Sequence, residues 1–174
     1  MSGTSTTPVP VLPDAWAARG VRLREERADD KPFLQRLFAS VRQQEMDLSA
    51  WPPALREQFL RSQFELQSLQ YATLCSASER LLIVLGQEPM GRLYLRCSNA
   101  DIHVVDLSLM PSCRGAGLGT ALLIAMQEQA LTAGKRVTLS VAATNPAQRL
   151  YRRLGFVESG QQPPYLHMAW APPA

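Results

Sequence analysis

A chain of 174 residues is long enough for one domain with a core of its own, and 46% hydrophobic against 19% charged residues argues against a disordered chain. A formal net charge of +3 with no long Lys/Arg run argues against a nucleic-acid partner and gives at most a mild attraction for an anionic ligand. Cys75, Cys97 and Cys113 are too few and too irregularly spaced for a disulfide framework or a thiolate metal site. No signal-like start and no apolar run of membrane-spanning length is present, so the expectation is a cytoplasmic protein with no metal and no membrane partner.

In chain order, residues 1–18, rich in Ser, Thr and Pro, read as a flexible leader, and residues 19–174 as one domain. Residues 21–25 fit a first strand, and Asp30-Lys31-Pro32 caps a helix over 33–41. Trp51-Pro52-Pro53 interrupts the chain before a helical apolar pattern over 54–75. Residues 80–85 and 90–95 read as a hairpin around Gly86-Gln87-Glu88-Pro89. The apolar run 102–110 is a fourth strand and 136–142 a fifth. Asn145-Pro146 opens a helix that stops at Gly155-Phe156, and two last strands cover 155–158 and 166–170. The expected fold class is α/β, a mixed and mostly antiparallel central sheet with helices on both faces.

Arg114-Gly115-Ala116-Gly117-Leu118-Gly119 lies directly between the fourth strand and a helix over 120–130. A strand, a Gly-rich turn and a helix start gather several backbone N–H groups around one point, an arrangement that holds a phosphate or pyrophosphate. Gly117 and Gly119 allow close approach and positive φ, and Arg114 offers a charge-assisted contact. The turn closes on Gly119-Thr120 without lysine, which excludes a mononucleotide P-loop, and it follows the fourth strand rather than the first, which argues against a dinucleotide fold.

Two motifs stand in order: Arg114, Gly117 and Gly119, then Asn145, Ala147, Leu150-Tyr151 and Gly155-Phe156. Together they closely resemble the GCN5-related N-acetyltransferase (GNAT) superfamily, over residues 21–170 and most specifically over 106–156. The resemblance implies acetyl transfer from acetyl-CoA to a primary amine of a small molecule or protein, in a monomer or homodimer. It assigns the pantetheine arm of the cofactor to the backbone of Leu107, Ser108 and Leu109, with the side chain of Asn145 alongside. The pyrophosphate falls to the backbone of Arg114, Gly115, Ala116, Gly117, Leu118, Gly119 and Thr120.

The resemblance makes Tyr151 the general acid for the departing thiolate, beside the alternative of a packed structural tyrosine. Asn145 before Pro146 is equally an ordinary helix cap. The general base is open: Ser140 stands where several relatives carry Glu on the fifth strand, and His103 where others carry Glu on the fourth. Alternation directs Asp106 to the face opposite Leu107 and Leu109, so its carboxylate either binds the substrate amine or pairs structurally with an Arg. Gln63, Phe64, Gln67 and Tyr71 recur along one side of a helix, as acceptor-pocket lining or as a core face with Gln at its rim. This stripe resembles a bacterial branch of the superfamily whose acceptors are unassigned. Two other functions fit the same residues, a non-catalytic acyl-CoA sensor and a protein-interaction partner that keeps only the fold.

Overall fold

The computed structural model, which describes residues 9–47 and 49–173, has seven strands, most of them rich in apolar residues: β1 (Val21–Glu25), β2 (Arg80–Leu85), β3 (Glu88–Cys97), β4 (Asp101–Leu109), β5 (Arg136–Ala142), β6 (Val157–Gln162) and β7 (Tyr165–Trp170). They form one sheet in the order β1-β2-β3-β4-β5-β7-β6, parallel between β4 and β5 and antiparallel at the other pairings. The helices are α1 (Asp14–Ala18), α2 (Lys31–Asp47), α3 (Pro53–Leu74), α4 (Leu118–Ala133) and α5 (Gln148–Arg153). None of the described helices is long and apolar enough to cross a membrane.

Period-two alternation gives the sheet two faces. One carries Leu81, Ile83, Leu93, Leu95, Ile102, Val104, Val137, Leu139 and Val141 into a core shared with Leu118, Leu122, Leu123 and Met126 of α4. Each such side chain taken fully out of water stabilises the fold by roughly 1.5–3 kcal/mol. On the other face, Leu82 and Val84 meet Phe33, Leu34, Leu37, Phe38 and Phe64 of α2 and α3. That cover ends before β5 and β7, where the same face presents Thr138, Ser140 and His167 at half-buried to exposed positions.

Three elements differ from the sequence reading. The strand expected over 155–158 runs over Val157–Gln162, because Gly155 takes a left-handed φ of 85° in the turn after α5. Asp14–Ala18, expected within a flexible leader, forms α1, and its Trp16 packs on the main core beneath the Arg19 guanidinium, 4.5 Å from the ring centroid. An indole offers enough apolar surface to tether a segment whose other residues are small. Residues 1–8 of that reading lie outside the described part. Helix α2 continues past 41 to Asp47 because Arg42, Gln43, Gln44, Glu45 and Met46 are good helix formers and Met46 is buried.

The feature that positions the site is a fork. Strand β4 pairs with β5 only over Asp101–Val104 against Arg136–Leu139. Beyond Val104 the β3 partner of β4 shifts by one residue, Leu95 facing Val104 and Tyr94 facing Asp106, so Val105 is bulged out of register. The bend separates β4 from β5 and leaves the β5-facing backbone edge of Val105 to Leu109 without a strand partner.

Candidate active site

At the far end of the unpaired edge the chain turns through Pro111–Cys113 and the Gly-rich segment into α4. Gly115 and Gly117 take φ of 76° and 90°, a left-handed path that L-residues resist, and Gly117 is the N-cap of α4. The amides of Leu118, Gly119 and Thr120 have no acceptor within the helix, as in any first turn, and the positive end of the helix dipole adds to them. Arg114 donates its Nε to the Leu109 carbonyl at 2.9 Å, which ties the turn to the end of β4. The fork and the Gly-rich turn are therefore one continuous edge.

On the face of β4 opposite α4, Asp106 is the centre of a polar network. Its carboxylate accepts from Tyr71 Oη at 2.7 Å, from Arg92 Nη2 at 2.7 Å and from Ser108 Oγ. Arg92 also donates to Gln67 Oε1 at 2.8 Å, and its guanidinium lies beside the edge-to-face pair of Tyr71 and Tyr94, 5.0 and 5.1 Å from their centroids. Burial, reinforced by the Asp106 charge, holds the Tyr71 phenol above its ordinary range. Tyr94 donates to Glu26, which carries the network back to β1. Asp106 is thus a fully engaged carboxylate paired to a buried arginine.

Next to this network, where the sheet loses its helical cover, a cavity of about 390 Å³ opens at the fork. Gln67 and Tyr71 reach it from α3, Arg96 from β3, His103 from β4, Ser140 from β5 and His167 from β7. Both histidines of the chain face it. His103 Nδ1 is bound to Thr138 Oγ1 at 2.9 Å, and burial followed by the charge of Arg96 depresses its pKa below 6.5. His167 Nδ1 is bound to Ser140 Oγ at 2.8 Å, across the register pair that joins β5 to β7. On its other side, His167 Cδ2 lies against Gly160 of β6. With Nδ1 toward one neighbouring strand and Cδ2 toward the other, the Nε2 edge of the ring is directed away from the sheet.

Tyr151, on α5, packs edge-on against Phe156 with ring centroids 5.9 Å apart. Its hydroxyl has no hydrogen-bond partner among the described residues. Burial, then the charge of Asp106, raises its pKa, so the phenol keeps its proton at neutral pH. Asn145 Oδ1 accepts from the Ala147 amide at 2.9 Å, the local bond of a helix start.

Comparison with known proteins adds to this geometry. A family profile described as "Acetyltransferase (GNAT) domain" matches residues 38–166. The chain belongs to the GNAT acetyltransferases. Among solved structures, this GNAT protein is similar to the PaiA N-acetyltransferase of Thermoplasma acidophilum in complex with coenzyme A, with TM-score 0.65 and 17% identity over 87% of this chain and 98% of that one. It is similar to Arabidopsis thaliana Naa50 in complex with the bisubstrate analogue CoA-Ac-MVNAL, with TM-score 0.59 and 16% identity over 87% and 99%. An acetyltransferase of Thermus thermophilus gives TM-score 0.61 and 23% identity over 87% and 96%. At these identities the likeness is one of fold, and it agrees with the α/β sheet expected from the sequence.

Of the positions singled out in the sequence, the GNAT fold brings together Asp106, Ser108, Gln67 and Tyr71 through hydrogen bonds, and Leu107 and Leu109 turn toward the α4 core. It separates Phe64, which is 3% exposed in the α2–α3 core with its ring 5.8 Å from Phe38. Gln63 is half-buried on α3 and does not line the cavity. Sequence reasoning passed over His167, Arg96 and Arg92. The only signal for His167 was its place on the polar side of the alternation Tyr165, His167, Ala169, and nothing local shows that β7 inserts between β5 and β6.

Proposed function

We propose that this GNAT protein transfers the acetyl group of acetyl-CoA directly to the primary amine of a small molecule. The observation that carries the reading is the single edge formed by the open fork and the Gly-rich turn. The residues suit the cosubstrate: a Cβ at Gly115, Gly117 or Gly119 would meet no protein atom within 4 Å, so the turn is open to an approaching diphosphate. The amides of Gly115 to Thr120 hold the diphosphate, and the unpaired edge of Leu107, Ser108 and Leu109 holds the pantetheine amides as a strand holds its neighbour. Asn145 borders the same arm while its Oδ1 holds the Ala147 amide in the turn before α5.

Acetyl-CoA supplies an activated thioester carbonyl. The amine reaches it from the cavity on the opposite face, and it attacks only as the neutral base. His167 takes its proton in the tautomer whose Nδ1 donates to Ser140 Oγ, since Nε2 is then a free acceptor. The C–N bond forms, the C–S bond breaks, and Tyr151 gives its phenolic proton to the leaving sulfur. Asp106, with three donors on its carboxylate, acts by fixing Tyr71 at the cavity wall and the buried Arg92 behind it. Incubation of the protein with labelled acetyl-CoA and a panel of primary amines tests the reading. The expected result is a labelled amide and one free thiol released per amide. Failure to bind acetyl-CoA, or thiol release with no acylated product across the panel, contradicts it.

A further inference from the structure

The lining of the cavity includes a guanidinium and no carboxylate, and the acids that act on it, Asp101 on His103 and Asp106 on Tyr71, stand behind the wall. Arg96 lines the cavity from β3, and the other ionisable groups of the lining are His103, His167, Tyr71 and Tyr165. Arg24, Arg80 and Arg92 lie on the same face of the sheet, and each has a carboxylate within ion-pair distance: Asp30, Glu26 and Asp106. Arg96, an exposed residue, has no hydrogen-bond or ion-pair partner among the described residues, and it opens onto the same cavity as two half-buried histidines and the half-buried Tyr71. The nearest acid of the network, Asp106, already neutralises Arg92 and accepts from Tyr71 and Ser108.

Position matters as much as charge. Arg96 pairs in register with His103, one residue below the last β4–β5 pair at Val104 and Leu139. It is therefore one strand spacing, about 4.8 Å, from β4 and on the cavity side of the fork. A guanidinium there can hold a carboxylate in a two-point contact while an amine a few bonds away lies at the mouth of the fork, beside His167. The same field disfavours a second cationic group on the acceptor and favours the neutral form of its amine, as it does for His103.

On the reading that the fork is an acetyltransferase site, we infer that the acceptor is a small amine that also carries a carboxylate, an amino acid or a close analogue, with Arg96 as the residue that binds its acid group. Arg96 thereby determines specificity.

The test uses matched probes that differ only in the carboxylate, phenylalanine against phenethylamine and methionine against 3-(methylthio)propylamine, with acetyl-CoA at saturation. Charge-assisted bonds to one carboxylate predict a kcat/KM preference for the acid-bearing member of about 10- to 100-fold. Arg96→Gln should bring that ratio close to one, mainly through KM, and Arg96→Lys should restore part of it. Because the ratio is taken within each variant, a general loss of folded protein does not imitate the effect. Equal or better use of the decarboxylated amines, or an unchanged ratio in Arg96→Gln, overturns the inference. So does failure of the amino acids to be acetylated or to bind the CoA-saturated protein by calorimetry. Acetylation of any other amine in those cases leaves the acetyltransferase reading standing, whereas absence of acetyl-CoA binding removes both.

Discussion

Tyr151 packs edge-on against Phe156, while its hydroxyl has no partner among the described residues, so removing the oxygen alone alters chemistry and little of the packing. Tyr151→Phe should keep the melting temperature and hold acetyl-CoA affinity within a few fold, yet lower turnover about 10- to 100-fold under conditions where chemistry limits the rate. Unchanged turnover in such an assay contradicts the proton-donor role. His103 makes a separate prediction about stability. Its depressed pKa means that the folded state takes up a proton less readily than the unfolded chain, so its contribution is complete above pH 6.5 and is lost as pH falls through the folded value. His103→Gln retains a side chain able to bind Thr138, and it should flatten the decline of melting temperature below pH 6.5. An identical slope in the variant would show that burial of this ring is not what sets the acid sensitivity.

At the scale of the element, the β3–β4 contact fixes the shape of the fork. Gly91 lies where a Cβ would fall on the Ser108 carbonyl oxygen and within 2.8 Å of Leu109 Cδ2, so no side chain fits without displacing the edge of β4. Gly91→Ala should cost ~1–3 kcal/mol by denaturant unfolding. It should also weaken acetyl-CoA binding, since the displaced backbone is the one assigned to pantetheine. Stability loss with unaltered cosubstrate affinity would detach that edge from binding. Much of this region was legible in the sequence. Gly117 takes the positive φ expected of it, whereas Gly119, expected to share that freedom, lies within the first turn of α4 and Gly115 takes the other left-handed position; the helix expected over 120–130 runs over Leu118–Ala133. The bulge left only a faint trace, the adjacent Val104 and Val105, across which core-facing residues pass from even to odd positions. The stripe on α3 misled because one helix face meets two environments: Phe64 lies in the core, and Tyr71, about 10 Å further along the axis, lies at the cavity. Helical periodicity records the face and not where along it the cover ends.

Over the whole molecule, the sheet divides labour between its faces. α4 supplies an apolar core and the helix start proposed to hold the diphosphate on one side, while α2 and α3 cover only β1 to β4 on the other and leave the proposed acceptor cavity at the boundary. The strand order that makes this possible was not legible, because placing β7 between β5 and β6 brings His167 to Ser140 from residues 27 positions apart. Two-sided access to one fork is the central claim. Amide hydrogen exchange with and without saturating acetyl-CoA, alongside calorimetric titration, tests it most directly. Binding along one continuous edge predicts a Kd on the order of 10 µM or tighter, with protection concentrated at the unpaired β4 edge of Leu107 to Leu109 and at the Gly115 to Thr120 turn. Absence of binding, or protection confined to other parts of the sheet, would contradict it.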